Sequence, residues 1–261
     1  MNKIPIIPDL AAFPAQFRPL LQGAAVYDSS CSQAARVYFI DRDGGLYLKT
    51  AAKGTLEREA KLTAFFHNKG LSAQVLAYEG LDADWLLTTR IPGEDCTHPA
   101  YLEDPKRLCD TTARLLRLLH EQDTAGCPVP NRTEEYLATA RRNYEAGAYD
   151  ISLFPDNWGY ATAEEAWRMV EENGKYLQAD TLLHGDYCLP NILLDDWCFS
   201  GFIDLDTGGV GDRHVDLFWG AWSLNFNLKT DAYTARFLDA YGRDVINEDL
   251  LRVVAAAEVF G

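Results

Sequence analysis

No apolar run in this 261-residue chain approaches the roughly 18–20 residues that cross a bilayer, which argues against a membrane-spanning helix. Residues 1–10 carry two prolines, Pro5 and Pro8, where a signal peptide needs an unbroken apolar core, so a cytoplasmic protein is expected. The six cysteines (Cys31, Cys96, Cys109, Cys127, Cys188 and Cys198) form no C-x-x-C pair. That spacing argues against a zinc site or a disulfide framework and leaves reduced, mostly buried thiols as the expectation. Basic residues are scarce, 24 against 39 acidic, and the net charge of -15 disfavours nucleic acid or an anionic membrane as partner. A cationic small molecule would be attracted instead, although the same charge also serves solubility. Internal repeats, low-complexity stretches and a G-x-G-x-x-G motif are all missing. With 48% hydrophobic and 24% charged residues, the chain has the composition of an ordinary globular protein of one large or two modest domains.

The segment RVYFIDRDGGLYLK (36–49) reads as two β-rich runs around Asp43-Gly44-Gly45, a turn cluster that supplies positive φ. From Thr55 the spacing of Leu62 and Phe66 predicts a helix, with Thr55 as N-cap and Gly70 as C-cap. Asp84 to Thr89 predicts a strand that Ile91-Pro92-Gly93 breaks, which places a domain boundary between 92 and 93. Beyond it the chain is mostly helical: Pro105 to His120 aligns Leu108, Leu115 and Leu119, and helices follow over Thr133–Ala146, Tyr233–Tyr241 and Glu248–Phe260. A short hairpin, ILLDDWCFSGFI, interrupts them. The expected architecture is α+β, with a small β-rich lobe (1–92) before a larger helical one (93–261).

Chemistry concentrates in His184-Gly185-Asp186, Asn191 and Asp204. Asn191 opens the first strand of the second hairpin and Asp204 follows the last, so antiparallel pairing sets an amide and a carboxylate nearly opposite each other. Two hard oxygen ligands of this kind suit Mg²⁺ beside a phosphate, and Asp186 is placed to orient and deprotonate a hydroxyl. Each piece alone reads equally as a turn, since Asp and Asn are common turn formers. Together, with Asp204 at a strand end before Gly208-Gly209-Val210-Gly211, they read as a site for phosphoryl transfer.

In the first lobe Tyr47 and Lys49 share one face of their strand, opposite Leu46 and Leu48. Glu59 shares a helix face with Leu62 and Phe66, which turns a carboxylate inward and calls for a buried cation; Lys49 is the candidate. Such a pair would hold the lysine on nucleotide phosphates, with Tyr47 packing on the purine.

These motifs, LYLK with Lys49, LEREA with Glu59, HGDYCLPNIL and FIDL…GVGDRHVDL, resemble the aminoglycoside 3'-phosphotransferases, antibiotic-resistance kinases, over nearly the whole chain. The resemblance implies a two-lobed, protein-kinase-like fold, ATP (with GTP as alternative donor) and Mg²⁺. It implies Asp186 as catalytic base and Asn191 and Asp204 as metal ligands. Ser32 matches a phosphate-binding loop, and Thr89 and Ile91 match a linker whose backbone meets adenine. The implied partner is a small cationic hydroxyl acceptor, met at Asp156, Trp222, Glu258 and Phe260 by a monomer or weak dimer. Departures fall on the acceptor side. Trp222, Ser223 and Phe226 stand where relatives carry carboxylates, Thr207 replaces an arginine, and Ala257 replaces an acid. The carboxylate losses leave open a kinase for another hydroxylated metabolite, and a non-catalytic nucleotide-binding regulator is a third reading that the complete motif set disfavours. His120, on a leucine-rich face, reads as a satisfied core residue; His67, His98 and His214 lack metal spacing; His184 and Asp216 are expected to brace the loop around Asp186, with Asp216 capping the helix from Leu217.

Overall fold

The structure is a computed structural model, and it describes residues 3–31, 33–153 and 158–261. The chain divides into two compact units, one of residues 1–95 with 192–206 and one of residues 96–191 with 207–261.

In the first unit, β1 (Ile4–Ile6), β2 (Ala25–Asp28), β3 (Ala35–Asp41), β4 (Leu46–Ala52), β5 (Val75–Gly80) and β6 (Ala83–Thr89) form an antiparallel sheet of order β1-β2-β3-β4-β6-β5. Pro5 is tolerated because β1 is an edge strand with one neighbour. The β3–β4 turn uses Gly44 and Gly45 at φ 85° and 101°, as the sequence predicts. Leu46, Leu48, Trp85 and Leu87 point to one face, where they bury with Phe13, Phe17, Leu21 of α1 (Arg18–Leu21), Val26 and Ile40. Across the other face lies α2 (Glu57–His67), whose Leu56 and Ala60 pack on Leu86. Its N-cap is Leu56 rather than Thr55, whose hydroxyl donates to the Ala52 carbonyl, and its C-cap is Asn68, two residues before Gly70.

The second hairpin belongs to this unit rather than to the helical one. β7 (Glu94–Asp95) pairs with β9 (Ile192–Asp195), which pairs with β10 (Cys198–Phe202), so the first unit runs to Asp95 and takes back 192–206. Backbone pairing over so few residues leaves no sequence signal. Asp196 and Trp197 close the hairpin, both at positive φ.

The second unit holds α3 (Pro99–Leu102), α4 (Pro105–His120), α5 (Arg132–Ala146), α6 (Ala163–Asn173), α7 (His214–Leu228), α8 (Thr234–Tyr241) and α9 (Glu248–Glu258), with a two-stranded ladder of β8 (Thr181–Leu183) and β11 (Gly209–Gly211). Leu108, Leu115 and Leu119 of α4 are all buried, as their spacing predicts. A second core gathers Tyr136, Ala140, Ala166, Val170, Leu183, Val215, Val253, Val254 and Phe260. No helix among the described residues is long and apolar enough to cross a membrane. None of the six cysteines forms a disulfide, but only Cys96 and Cys109 are buried; Cys31 and Cys198 are exposed, because they lie at a loop and a strand end rather than on core faces.

Candidate active site

The sequence-predicted residues form two groups, one in each unit. In the first, Lys49 Nζ donates to Glu59 Oε1 and Oε2 at 3.0 and 2.8 Å and to Asp204 Oδ1 at 3.0 Å. Alternation along β4 sets Lys49 on the α2 side of the sheet, and Glu59, in the first turn of α2, is nearly buried there. Burial works against the ammonium, but Asp204 and Glu59 outweigh it and raise its pKa above the ordinary lysine value, so Lys49 is held charged. Asp204 stands in the left-handed region at φ 56°, a strained setting for a residue with a side chain, and its side chain is 53% exposed. Tyr47 is half-buried on the same face, 5.2 Å from the Phe39 ring. The Thr89 N–H donates to the Gln74 carbonyl, so that group is not open to a base, and Ile91 is buried with Ala73 and Leu193. Ser32 lies outside the described residues.

In the second unit the loop after β8 is held from below by Asp216, which is fully buried. Its Oδ2 accepts from His184 N at 2.7 Å and its Oδ1 from Gly185 N at 2.8 Å, while His120 Nε2 lies 3.2 Å from Oδ2. Asp216 sits within α7, whose N-cap is Arg213; the carboxylate turns to the loop instead of capping its own helix. Gly185 adopts φ +85°, and a Cβ there would come within 2.0 Å of the Thr207 carbonyl, so no other residue fits. Asn191 Nδ2 donates to the Asp186 carbonyl at 3.0 Å and to Asp186 Oδ2 at 2.9 Å. The loop is pinned again where Ser223 Oγ accepts from Leu189 N at 2.9 Å. Burial, and then the neighbouring Asp186, push the Cys188 pKa up, so it stays a neutral thiol. Asp186 is thus a carboxylate with one oxygen fixed by an amide, on a backbone tied at both ends.

The phosphotransferase enzyme family model matches residues 30–254. The chain belongs to this family. A Lactococcus lactis subsp. lactis (strain IL1403) protein named probable aminoglycoside 3'-phosphotransferase is 49% identical over 254 residues, 97% of each chain. The crystal structure of an aminoglycoside-3'-phosphotransferase of type VIII superposes with a TM-score of 0.73 at 25% identity, covering 95% of this chain and 100% of that one. A structure of a Streptomyces rimosus aminoglycoside phosphotransferase in complex with ADP and streptomycin has a TM-score of 0.72 at 22% identity, covering 97% and 99%. The protein is therefore a kinase-type transferase with the protein-kinase-like fold, in agreement with its sequence motifs.

On the acceptor side of this phosphotransferase, expectation and structure diverge. Phe260, expected on the acceptor side, is fully buried among Tyr144, Tyr149 and Trp167, and its carbonyl accepts from Asn143 Nδ2 at 2.7 Å, so its ring is part of the core. Glu258 is buried too: Oε1 accepts from Tyr136 Oη at 2.9 Å and Trp219 Nε1 at 3.0 Å. Burial pushes its carboxyl up to about 7 despite those donors. Trp222 is half-buried and stacks on Phe226 at 5.1 Å and 15°, and Lys229 Nζ stands 4.1 Å from the Phe226 ring centre. Asp156 lies outside the described residues. His120 is the satisfied core residue that its position suggests, with Tyr241 Oη 2.8 Å from its Nδ1. His214 pairs with Asp212 at 2.6 Å, and among the described residues no three His, Cys, Asp or Glu side chains could hold a metal ion. Sequence reasoning passed over Ser223 as a brace and took Asp84 only as the start of a strand; a carboxylate leading the apolar run WLL was the available signal for the latter, which the structure buries.

Proposed function

We propose that this phosphotransferase moves the γ-phosphoryl group of ATP onto the 3'-hydroxyl of an aminoglycoside. The observation that carries the nucleotide part is the Lys49 clamp: an ammonium kept charged by two carboxylates, one of them about half exposed, is an anchor for phosphate oxygens. The ADP complex of the Streptomyces rimosus fold relative supports the same reading, and the name of the Lactococcus lactis relative supports the acceptor and its position. The donor set fits Mg²⁺. Asn191 uses its amide nitrogen on Asp186, which leaves Oδ1 without a hydrogen bond among the described residues, and Asp204 offers an exposed carboxylate. So few protein oxygens suit an ion that keeps waters and phosphates as its other ligands. When bound, the metal would neutralise phosphate charge.

In this reading Asp186 orients the acceptor hydroxyl and takes its proton through the carboxylate oxygen that Asn191 leaves open, and no covalent enzyme intermediate forms. Lys49 screens the phosphate charge as the bond to the leaving oxygen breaks. A second reading, a kinase for another hydroxylated metabolite, is favoured by one observation: the aromatic Trp222–Phe226 pair on α7. An ADP-release assay with ATP and Mg²⁺ against kanamycin- and neomycin-type acceptors, with the product's phosphorylated carbon located by NMR, separates the two. Absence of turnover at millimolar acceptor transfers the assignment to the second.

A further inference from the structure

Asp84 lies on β6 opposite Ala51 of β4, on the sheet face that carries Lys49. It is a fully buried carboxylate inside an apolar strand. Its Oδ2 accepts from Leu56 N at 2.9 Å, and its Oδ1 is buried with no hydrogen-bond partner among the described residues. Burial works against the charge, but the nearby N–H groups of Gly54, Leu56 and Thr55 and the Tyr78 hydroxyl outweigh it and hold the pKa below the ordinary range, so Asp84 is ionised. The Leu56 N–H closes the link between β4 and α2. Leu56 is the N-cap of α2 and has no side chain able to cap it. A carboxylate from a strand 28 residues away therefore caps the helix, and it holds the corner that joins Lys49 to Glu59. Lys49 precedes that corner by four residues and Glu59 follows it in the first turn.

We propose that Asp84 is a positioning residue for the Lys49–Glu59 pair: by capping α2 from β6 it sets the distance between ammonium and carboxylate, and through that pair the affinity for nucleotide. This rests on the nucleotide role proposed for Lys49. Asp84→Asn keeps the shape but replaces the ionised acceptor of the Leu56 N–H with a neutral amide that must also present its own donors. The expected result is a nucleotide Kd and KM raised about tenfold, with the acceptor KM unchanged. Because Asp84 acts through Glu59, the effect should shrink to twofold or less in a Glu59→Gln background. Hydrogen exchange should speed at the first turn of α2 in Asp84→Asn but not in Glu59→Gln. If Asp84→Asn is not recovered folded, Tyr78→Phe, which removes the hydroxyl beside the same carboxylate, should raise nucleotide Kd two- to threefold with acceptor KM unchanged. A wild type that binds nucleotide while Asp84→Asn binds it equally well, at whatever melting temperature, overturns this inference alone. So does a penalty of equal size with and without Glu59. A wild type that binds no nucleotide overturns both this and the proposed function.

Discussion

The Lys49 group and the Asp186 loop are fixed by opposite means. In the first unit, long side chains carry the geometry: an ammonium and two carboxylates, one of them exposed to solvent. In the second, backbone does, since Asp216 holds two successive N–H groups and Ser223 a third, with every brace buried. Ion pairs near the surface are screened by salt and adapt to what binds; buried hydrogen bonds to charged groups are costly to break and tolerate little displacement. A group that meets phosphates of varying position gains from the first design. A carboxylate that must meet one hydroxyl gains from the second.

The sharpest way to break that contrast is Asp186→Asn. The loop's braces do not involve the substituted oxygen except through Asn191, so the protein should fold and bind nucleotide normally. Its kcat should fall by about 10²–10⁴-fold, the usual range for a positioned general base. Rapid-quench or steady-state kinetics beside nucleotide titration tests it, and a variant with near-wild-type kcat sinks the role given to Asp186.

Glu258 extends the comparison to a buried carboxyl whose hydrogen bonds come from neutral donors, Tyr136 and Trp219. Burial raises it to about 7, above its value in the unfolded chain, so the folded state keeps a proton that the unfolded state releases. Its stabilising contribution is complete below the unfolded pKa, near 4.5, and is lost as pH rises through about 7. The loss is on the order of 3 kcal/mol. Glu258→Gln accepts from Tyr136 and Trp219 without titrating, so its unfolding free energy should lack this slope between pH 5 and 8. Parallel slopes for the two proteins would show that Glu258 is ionised when folded.

Asp204→Ala tests the side-chain design at its exposed end. It removes the only carboxylate assigned to the metal, so the tightening of ATP binding by Mg²⁺, expected at about tenfold or more, should vanish in calorimetry with and without the ion. Persistent tightening would move the metal to another group; Asp206, exposed two residues on, is the first to examine.

What could be read in advance follows the same division. The hairpin at Gly44-Gly45 and helix α4 are local, set by turn chemistry and leucine spacing, and both stand where the sequence puts them. The Lys49–Glu59 contact was legible because an inward carboxylate on an amphipathic face demands a cation. Asp84 was not, because its partners are backbone groups, which sequence does not label. The burial of Phe260 and the pairing of β9 with β7 were not legible for a related reason: both are tertiary facts.

The smallest expected effect concerns the wall of α7. Trp219, Trp222, Ser223 and Phe226 share a helix face, and Ser223 on that face touches the loop bearing Asp186. An aminoglycoside brings several ammonium groups, and a π-face offers each about 0.5–2 kcal/mol, less than a desolvated carboxylate gives. Lys229 already sets an ammonium on Phe226, so the face accepts such a group. If this wall meets the acceptor, Trp222→Asp should lower KM several-fold for the most highly charged acceptors, less for those with fewer amines, and make KM rise with salt. The kcat should be unchanged, because Ser223 still pins Leu189. A KM that ignores both the substitution and ionic strength would mean that Trp222 only packs on Phe226, and the acceptor's ammonium groups would then have to be met elsewhere in the helical unit.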